Sequence, residues 1–179
     1  MAKSDRKIID KVFILLGLAM MVTLVVIGGL ACYASKFAKE SVRDELVAQK
    51  IFFPPKGPAL DPSEYPGLQQ YAGQQVDNGV KAKAYANEFI GAHLEQIADG
   101  KTYSEVSTLA KADPSNAALQ GQKQALFQGE TLRGLLLGDG YAYWTFGVIA
   151  GYAALAAFAG AAVMGLLVLL GLRHLARLK

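Results

Sequence analysis

Two long uncharged runs, Val12 to Ser35 and Gly140 to Leu172, flank a polar stretch of 104 residues, and this layout constrains the fold more than any other feature. At 24 and 33 residues, each run exceeds the ~20 apolar residues with which a helix crosses ~30 Å of hydrocarbon. The expected fold class is an all-α membrane protein, with two transmembrane helices flanking a small helical extracytoplasmic domain. The residues divide it into a tail at 1–11, a first span at 12–35, the domain at 36–143, a second span at 144–172 and a tail at 173–179.

Charge sets the expected orientation. Residues 1–11 carry a net charge of +2 and the tail from Arg173 carries +3, whereas residues 36–139 carry −2. Lys and Arg concentrate beside spans on the inner side, so both termini are expected in the cytoplasm and the domain outside. Lys36, Lys39, Arg43 and Lys50 lie beyond the first span but are interleaved with Glu40, Asp44 and Glu45, which leaves the cleaner asymmetry to the second span. The slightly acidic domain has no Lys/Arg stripe, which excludes nucleic acid as an expected partner.

A basic start followed by an apolar core also marks a secretory leader, but a leader's apolar region is usually ~7–15 residues. Here the run is longer, lacks an A-x-A site at its end and continues into helix-favouring, charged sequence. Gly29-Leu30-Ala31-Cys32 resembles a lipoprotein cleavage site, with Leu one place later than that pattern prefers. Cys32 thus reads either as a lipidation site or as a small apolar residue of a membrane helix. As the single cysteine it has no partner for an internal disulfide.

Between the spans the patterning is helical. Residues 36–50 are expected to prolong the first span until Pro54-Pro55 stops the helix. A single turn capped by Asp61, with Pro62 at its first position, is expected in the loop that follows. A helix from about Val80 to Ala98 should bury Ala82, Ala86, Phe89, His93 and Ile97 and stop at Gly100. Thr102-Tyr103-Ser104-Glu105 has the form of a capping box. Asp113-Pro114 has the form of another helix start.

Tyr141, Tyr143 and Trp144 cluster at the outer end of the second run, where amphipathic rings favour the headgroup level, and Arg173, His174 and Arg177 close the inner end. These are the expected membrane-interface anchors. The expected helix-packing interface is made of small residues, which let helices approach closely in lipid. It comprises Gly147 and Gly151, the four-residue row Ala153, Ala157, Ala161 and Gly165, and Gly28 and Gly29 of the first span. Antiparallel spans would bring Gly28 and Gly29 to Gly147 and Gly151; the partner is either the other span or a second copy.

Catalytic patterns are sparse. His93 and His174, the only histidines, fall on opposite sides of the membrane in this topology. No catalytic residue, cofactor or metal site is expected. His93 is expected on the apolar face against Phe89 and Ile97, and Glu130 and Arg133 are spaced to pair. No ionisable residue falls inside either span, which argues against a proton relay or an ion-coupled transporter.

Several strings, among them Leu46-Val47-Ala48-Gln49-Lys50-Ile51, Tyr71-Ala72-Gly73-Gln74-Gln75-Val76, Gly100-Lys101-Thr102-Tyr103-Ser104-Glu105 and Gly129-Glu130-Thr131-Leu132-Arg133-Gly134, resemble a family of uncharacterised actinobacterial two-pass membrane proteins. The resemblance spans about residues 12–172 and implies a bacterial plasma membrane protein with a helical ectodomain. Some members carry the name aromatic ring-opening dioxygenase; the residues here do not support it, because non-haem iron needs clustered His and carboxylate ligands.

The expected function is therefore a non-enzymatic structural or accessory role, exercised through packing of the membrane helices and the helical ectodomain. Expected partners are the lipid bilayer and either further copies of the chain or a larger membrane complex. The alternative is an extracytoplasmic sensing or ligand-binding module, which with tails this short would report through a partner protein.

Overall fold

The computed structural model describes residues 3–177; residues 1, 2, 178 and 179, the extremities of both expected tails, lie outside the described residues. Helix α1 runs Lys3–Ala48, α2 Gly79–Ala84, α3 Gly91–Ala98, α4 Tyr103–Ala112, α5 Ala117–Leu135 and α6 Tyr143–Arg177. Wider π-helical turns at Tyr85–Ile90 and Leu136–Ala142 join α2 to α3 and α5 to α6. Among the described residues there are no strands, only isolated antiparallel bridges from Phe52 to Gln75 and from Gly57 to Leu60.

Two helical runs, one of them α1 and the other spanning 117–177, are long and apolar enough to cross a membrane. Only 11% of the most apolar window of each is buried within the protein, unlike the core helix of a soluble fold. The chain forms two compact units. One comprises the residues up to Phe37 with those from Phe146 onward, and the other is Ala38–Thr145.

In the first unit α1 and α6 run antiparallel. Their register follows from what a side chain at each glycine would meet: Val168 from Gly17, Met21 from Gly165, Leu24 from Gly160 and Ile14 from Gly171.

The Ala38–Thr145 unit has two small cores. Val42 and Leu46 of α1, Phe53, Leu60, Leu68 and Val76 of the loop segment, and Ala82, Ala86 and Leu136 of the helices form the larger one. Leu94, Ala98, Val106 and Leu126 form the other. After α1, Lys50 takes the left-handed conformation that ends a helix (φ 54°), and the two prolines prevent its resumption. The following segment is pinned by hydrogen bonds rather than regular structure: Phe53 N–H donates to Gln74 O at 2.9 Å and Val76 N–H to Ile51 O at 2.9 Å. A short 3₁₀ helix, Pro66–Tyr71, places Leu68 in the core.

Several local expectations are met and others are displaced. Asp61 does begin a turn, accepting from the Ser63 amide at 2.7 Å, and these Ser63 hydrogen bonds hold its carboxyl below the usual range. The capping box forms as expected: Glu105 N–H donates to Thr102 Oγ1 at 3.4 Å, and Thr102 N–H donates to Glu105 Oε2 at 2.8 Å. Asp113, by contrast, closes α4 by donating its N–H to Leu109 O at 3.0 Å. The cap of α5 is Asn116, which accepts from Leu119 N–H at 3.1 Å. The Asp-Pro pair is a turn because a nearer amide cap lies three residues on.

The expected face of the helix at 80–98 is wrong beyond Phe89. His93 and Ile97 are exposed, whereas Leu94 and Ala98 are buried. The π-helical turn is the cause, since one extra residue in a turn rotates everything after it by about 100°. Gly79 begins this helix where nothing larger fits, because a Cβ there would sit 2.4 Å from Trp144 Cβ.

Candidate functional site

The helix pair of the first unit is the first candidate. On α1 the residues withdrawn from the surface are Ile14, Gly17, Met21, Leu24 and Gly28, in alternating steps of three and four. On α6 they are Gly147, Ala150, Ala154, Ala157 and Ala161, in the same rhythm. This seven-residue repeat keeps a seam facing its partner when two helices coil left-handed around each other.

The small residues singled out in the sequence divide accordingly. Gly147, Ala157, Ala161 and Gly28 are buried, Gly151 and Gly165 are half-buried, and Ala153 and Gly29 are exposed. A strict four-residue row drifts about 40° per step around a helix, so it leaves the seam that Ala150 and Ala154 occupy. The expected approach of Gly28 and Gly29 to Gly147 and Gly151 is absent. A Cβ on Gly28 would lie 2.9 Å from the Phe158 ring, and one on Gly29 would meet nothing within 4 Å. The antiparallel register is offset by about two turns from that expectation, which pattern alone does not reveal.

The expected interface anchors also differ in environment. Arg173 and Arg177 are exposed near the end of α6, and Tyr143 is exposed. Trp144 packs against the larger core, and Tyr141 carries the Lys83 ammonium 4.6 Å above its ring. Packing within the domain thus involves Trp144 and Tyr141.

The second candidate is a groove in the Ala38–Thr145 unit. A cavity of about 600 Å³ opens between the Glu64–Gly67 turn, the first π-helical turn, α3 and α5. Glu64, Glu88, Glu95 and Glu130 line it together with Lys101 and Arg133, over a floor that includes Leu94 and Leu126. Arg133 is held at three points: its Nε donates to Ala86 O at 3.1 Å, Nη1 to Glu130 Oε1 at 2.9 Å and Nη2 to Asn87 Oδ1 at 3.4 Å. Ala86 O also accepts from Gly91 N–H, five residues on, so Arg133 is anchored on the widened turn itself. The expected Glu130–Arg133 pair is present, with these further partners.

Beside the groove, Tyr65 Oη lies 3.3 Å from His93 Nδ1, and the His93 ring is 5.2 Å from Phe89. Burial, followed by the neighbouring Glu64 carboxylate, pushes the Tyr65 phenol above its ordinary range, and burial does the same to Tyr85. Gln96 Nε2 donates to Glu64 Oε1. Among the described residues no three His, Cys, Asp or Glu side chains converge on one point as metal ligands would. The groove residues come from segments up to 69 positions apart, Glu64 to Arg133, so no local motif announces them.

The rim supplies a pH-dependent test. Hydrogen bonds from the Thr102 backbone and side chain lower the Glu105 carboxyl below its ordinary value. A lowered carboxyl contributes stability above its unfolded value, and that contribution is lost as pH falls through the folded one. Replacing Thr102 by alanine should cost ~0.5–2 kcal/mol at neutral pH and less in acid. Hydrogen exchange of the α4 amides at pH 7 and pH 3 checks both, and equal protection in the variant and the parent would exclude the cap.

No protein-family model, no curated protein and no solved structure matches this chain.

Proposed function

We propose that the chain is a non-enzymatic accessory protein of the bacterial plasma membrane, with both termini cytoplasmic and the helical domain on the opposite face. The observation that carries this reading is the division of labour on α6. Ala150, Ala154, Ala157 and Ala161 are consumed by the chain's own helix pair, while Ile149, Leu155, Val163, Leu166 and Leu170 remain more than half exposed. Side chains of that size and exposure suit lipid or further membrane helices, and packing in lipid is what would hold such an assembly. The net −2 of residues 36–139, against +2 and +3 at the ends, supports the orientation.

A sensing or ligand-binding role is the second reading, and the 600 Å³ groove favours it. Its size falls within the range of small-molecule sites, ~300–1,000 Å³. In this reading the domain binds the ligand and a partner chain reports it.

Orientation is tested with Ser63→Cys in a Cys32→Ala background. An impermeant thiol reagent should label intact cells at that position, and labelling only after lysis would invert the topology. Light scattering of the full chain in mild detergent should show a mass above one chain plus its micelle. A monomer under every mild condition with no other chain co-purifying would remove the assembly reading and leave the ligand-binding one.

A further inference from the structure

One end of the helix pair contains an unsatisfied polar atom. Asp10 Oδ2 on α1 is buried and has no hydrogen-bond partner. Its nearest cation candidate, His174 Nε2 on α6, is 3.9 Å away. That exceeds hydrogen-bond reach, and a buried carboxylate oxygen left unpaired loses hydration without compensation.

A cavity of about 280 Å³ opens directly beside this pair. Phe13, Ile14, Met164, Leu167 and Val168 form its apolar wall, with Gly17 at the far end. From Asp10 to Gly17 the helix rises about 10 Å, so the site has a polar mouth and an apolar body. Lys11 and Arg173, the sequence neighbours of the pair, are exposed, as are Arg6 and Arg177. Lys7, one turn from Asp10, is half-buried. Asp10, half-buried with its Oδ2 enclosed, is therefore surrounded by bases.

We propose that this cavity holds a zwitterionic aminophospholipid of the bilayer. Two acceptors 3.9 Å apart are both within ~2.9 Å of a single nitrogen placed between them. A primary ammonium can donate one N–H to the Asp10 carboxylate and a second to His174 Nε2 in the ring tautomer that carries its hydrogen on Nδ1. The lipid phosphate meets Lys11 and Arg173, and part of an acyl chain lies along Phe13, Ile14 and Leu167. A choline headgroup has the same charges but no N–H, so it leaves both acceptors unsatisfied. The proposal rests on the reading that α1 and α6 cross a bilayer, because only then is the mouth at headgroup level.

The experiment uses the full chain in membranes containing equal phosphatidylethanolamine and phosphatidylcholine. Resistance to alkaline carbonate extraction comes first, and release would reject both the membrane reading and the site. For the integrated chain, native mass spectrometry should find phosphatidylethanolamine retained at least tenfold over phosphatidylcholine. Asp10→Asn should reduce that preference to twofold or less. Should Asp10→Asn fail to accumulate, Leu167→Trp, which fills the cavity from its wall, carries the same expectation. Equal retention of the two lipids by the parent, or an unchanged preference in the variants, overturns the site while leaving the spans intact. Octylamine should compete the lipid away and octyltrimethylammonium should not. Octylamine binding without any lipid preference would reject the lipid as occupant.

Discussion

Replacing Phe53 by alanine should destabilise the Ala38–Thr145 unit by ~3–5 kcal/mol, the range for removing a buried aromatic ring. Phe53 is 1% exposed, stacks on Tyr71 at 5.2 Å and meets Tyr85 edge-on at 5.2 Å. These rings link the irregular segment at 51–78 to the helix beginning at Gly79. Leu60, Leu68 and Val76 and a few backbone hydrogen bonds share that task, but the segment has no regular structure beyond a 3₁₀ helix, turns and two isolated bridges. Domains are generally stable by only ~5–15 kcal/mol, so the loss is a large fraction of the total. Urea unfolding followed by tyrosine circular dichroism measures it, with Phe53→Leu, which keeps part of the apolar volume, as the milder variant. A loss below ~1 kcal/mol, typical of an average substitution, would show that the segment is held in some other way.

The second large effect concerns the helix pair. Ala157→Leu should wedge α1 from α6 at a cost of ~1–3 kcal/mol, the usual range for overpacking. Ala153→Leu should have no such effect. Ala157 is 7% exposed, whereas Ala153, four residues earlier, is exposed. Neither change should prevent insertion, because leucine is favourable at bilayer depth. Disulfide trapping reads the outcome: Leu24→Cys with Gly160→Cys in a Cys32→Ala background, chosen because a Gly160 Cβ would sit 3.3 Å from Leu24 Cδ1. Trapping should fall with Ala157→Leu and persist with Ala153→Leu. The reverse pattern would place the contact on the opposite face of α6.

The acidic groove and the seam illustrate how far local reasoning reaches. Glu130 and Arg133 are legible as a pair from their spacing, but the Arg133 contact to Ala86 O joins residues 47 apart. Glu64 and Glu88 become neighbours of that pair only when the turn at 64–67 packs on the widened helix. Small residues are likewise legible as a class in the second span. Which of them face α1 depends on register, and Ala154 replaces Ala153 because the seam repeats every seven residues rather than every four.

By itself the sequence determined the features that depend on a few adjacent residues: two runs able to span a bilayer, the proline stop after α1 and the Thr102–Glu105 cap. Each follows from backbone hydrogen bonding or transfer energy summed over one short segment. Only the tertiary structure decided the π-helical turns, the cap at Asn116 in place of Asp113, the pairing of Gly28 with Phe158 and the gathering of four glutamates in one groove. Those outcomes depend on which distant side chains compete for the same space. An extra residue in a helical turn is tolerated when Arg133 adds a second donor to the Ala86 carbonyl and the core accepts the rotated face, and neither condition is written in residues 85–90.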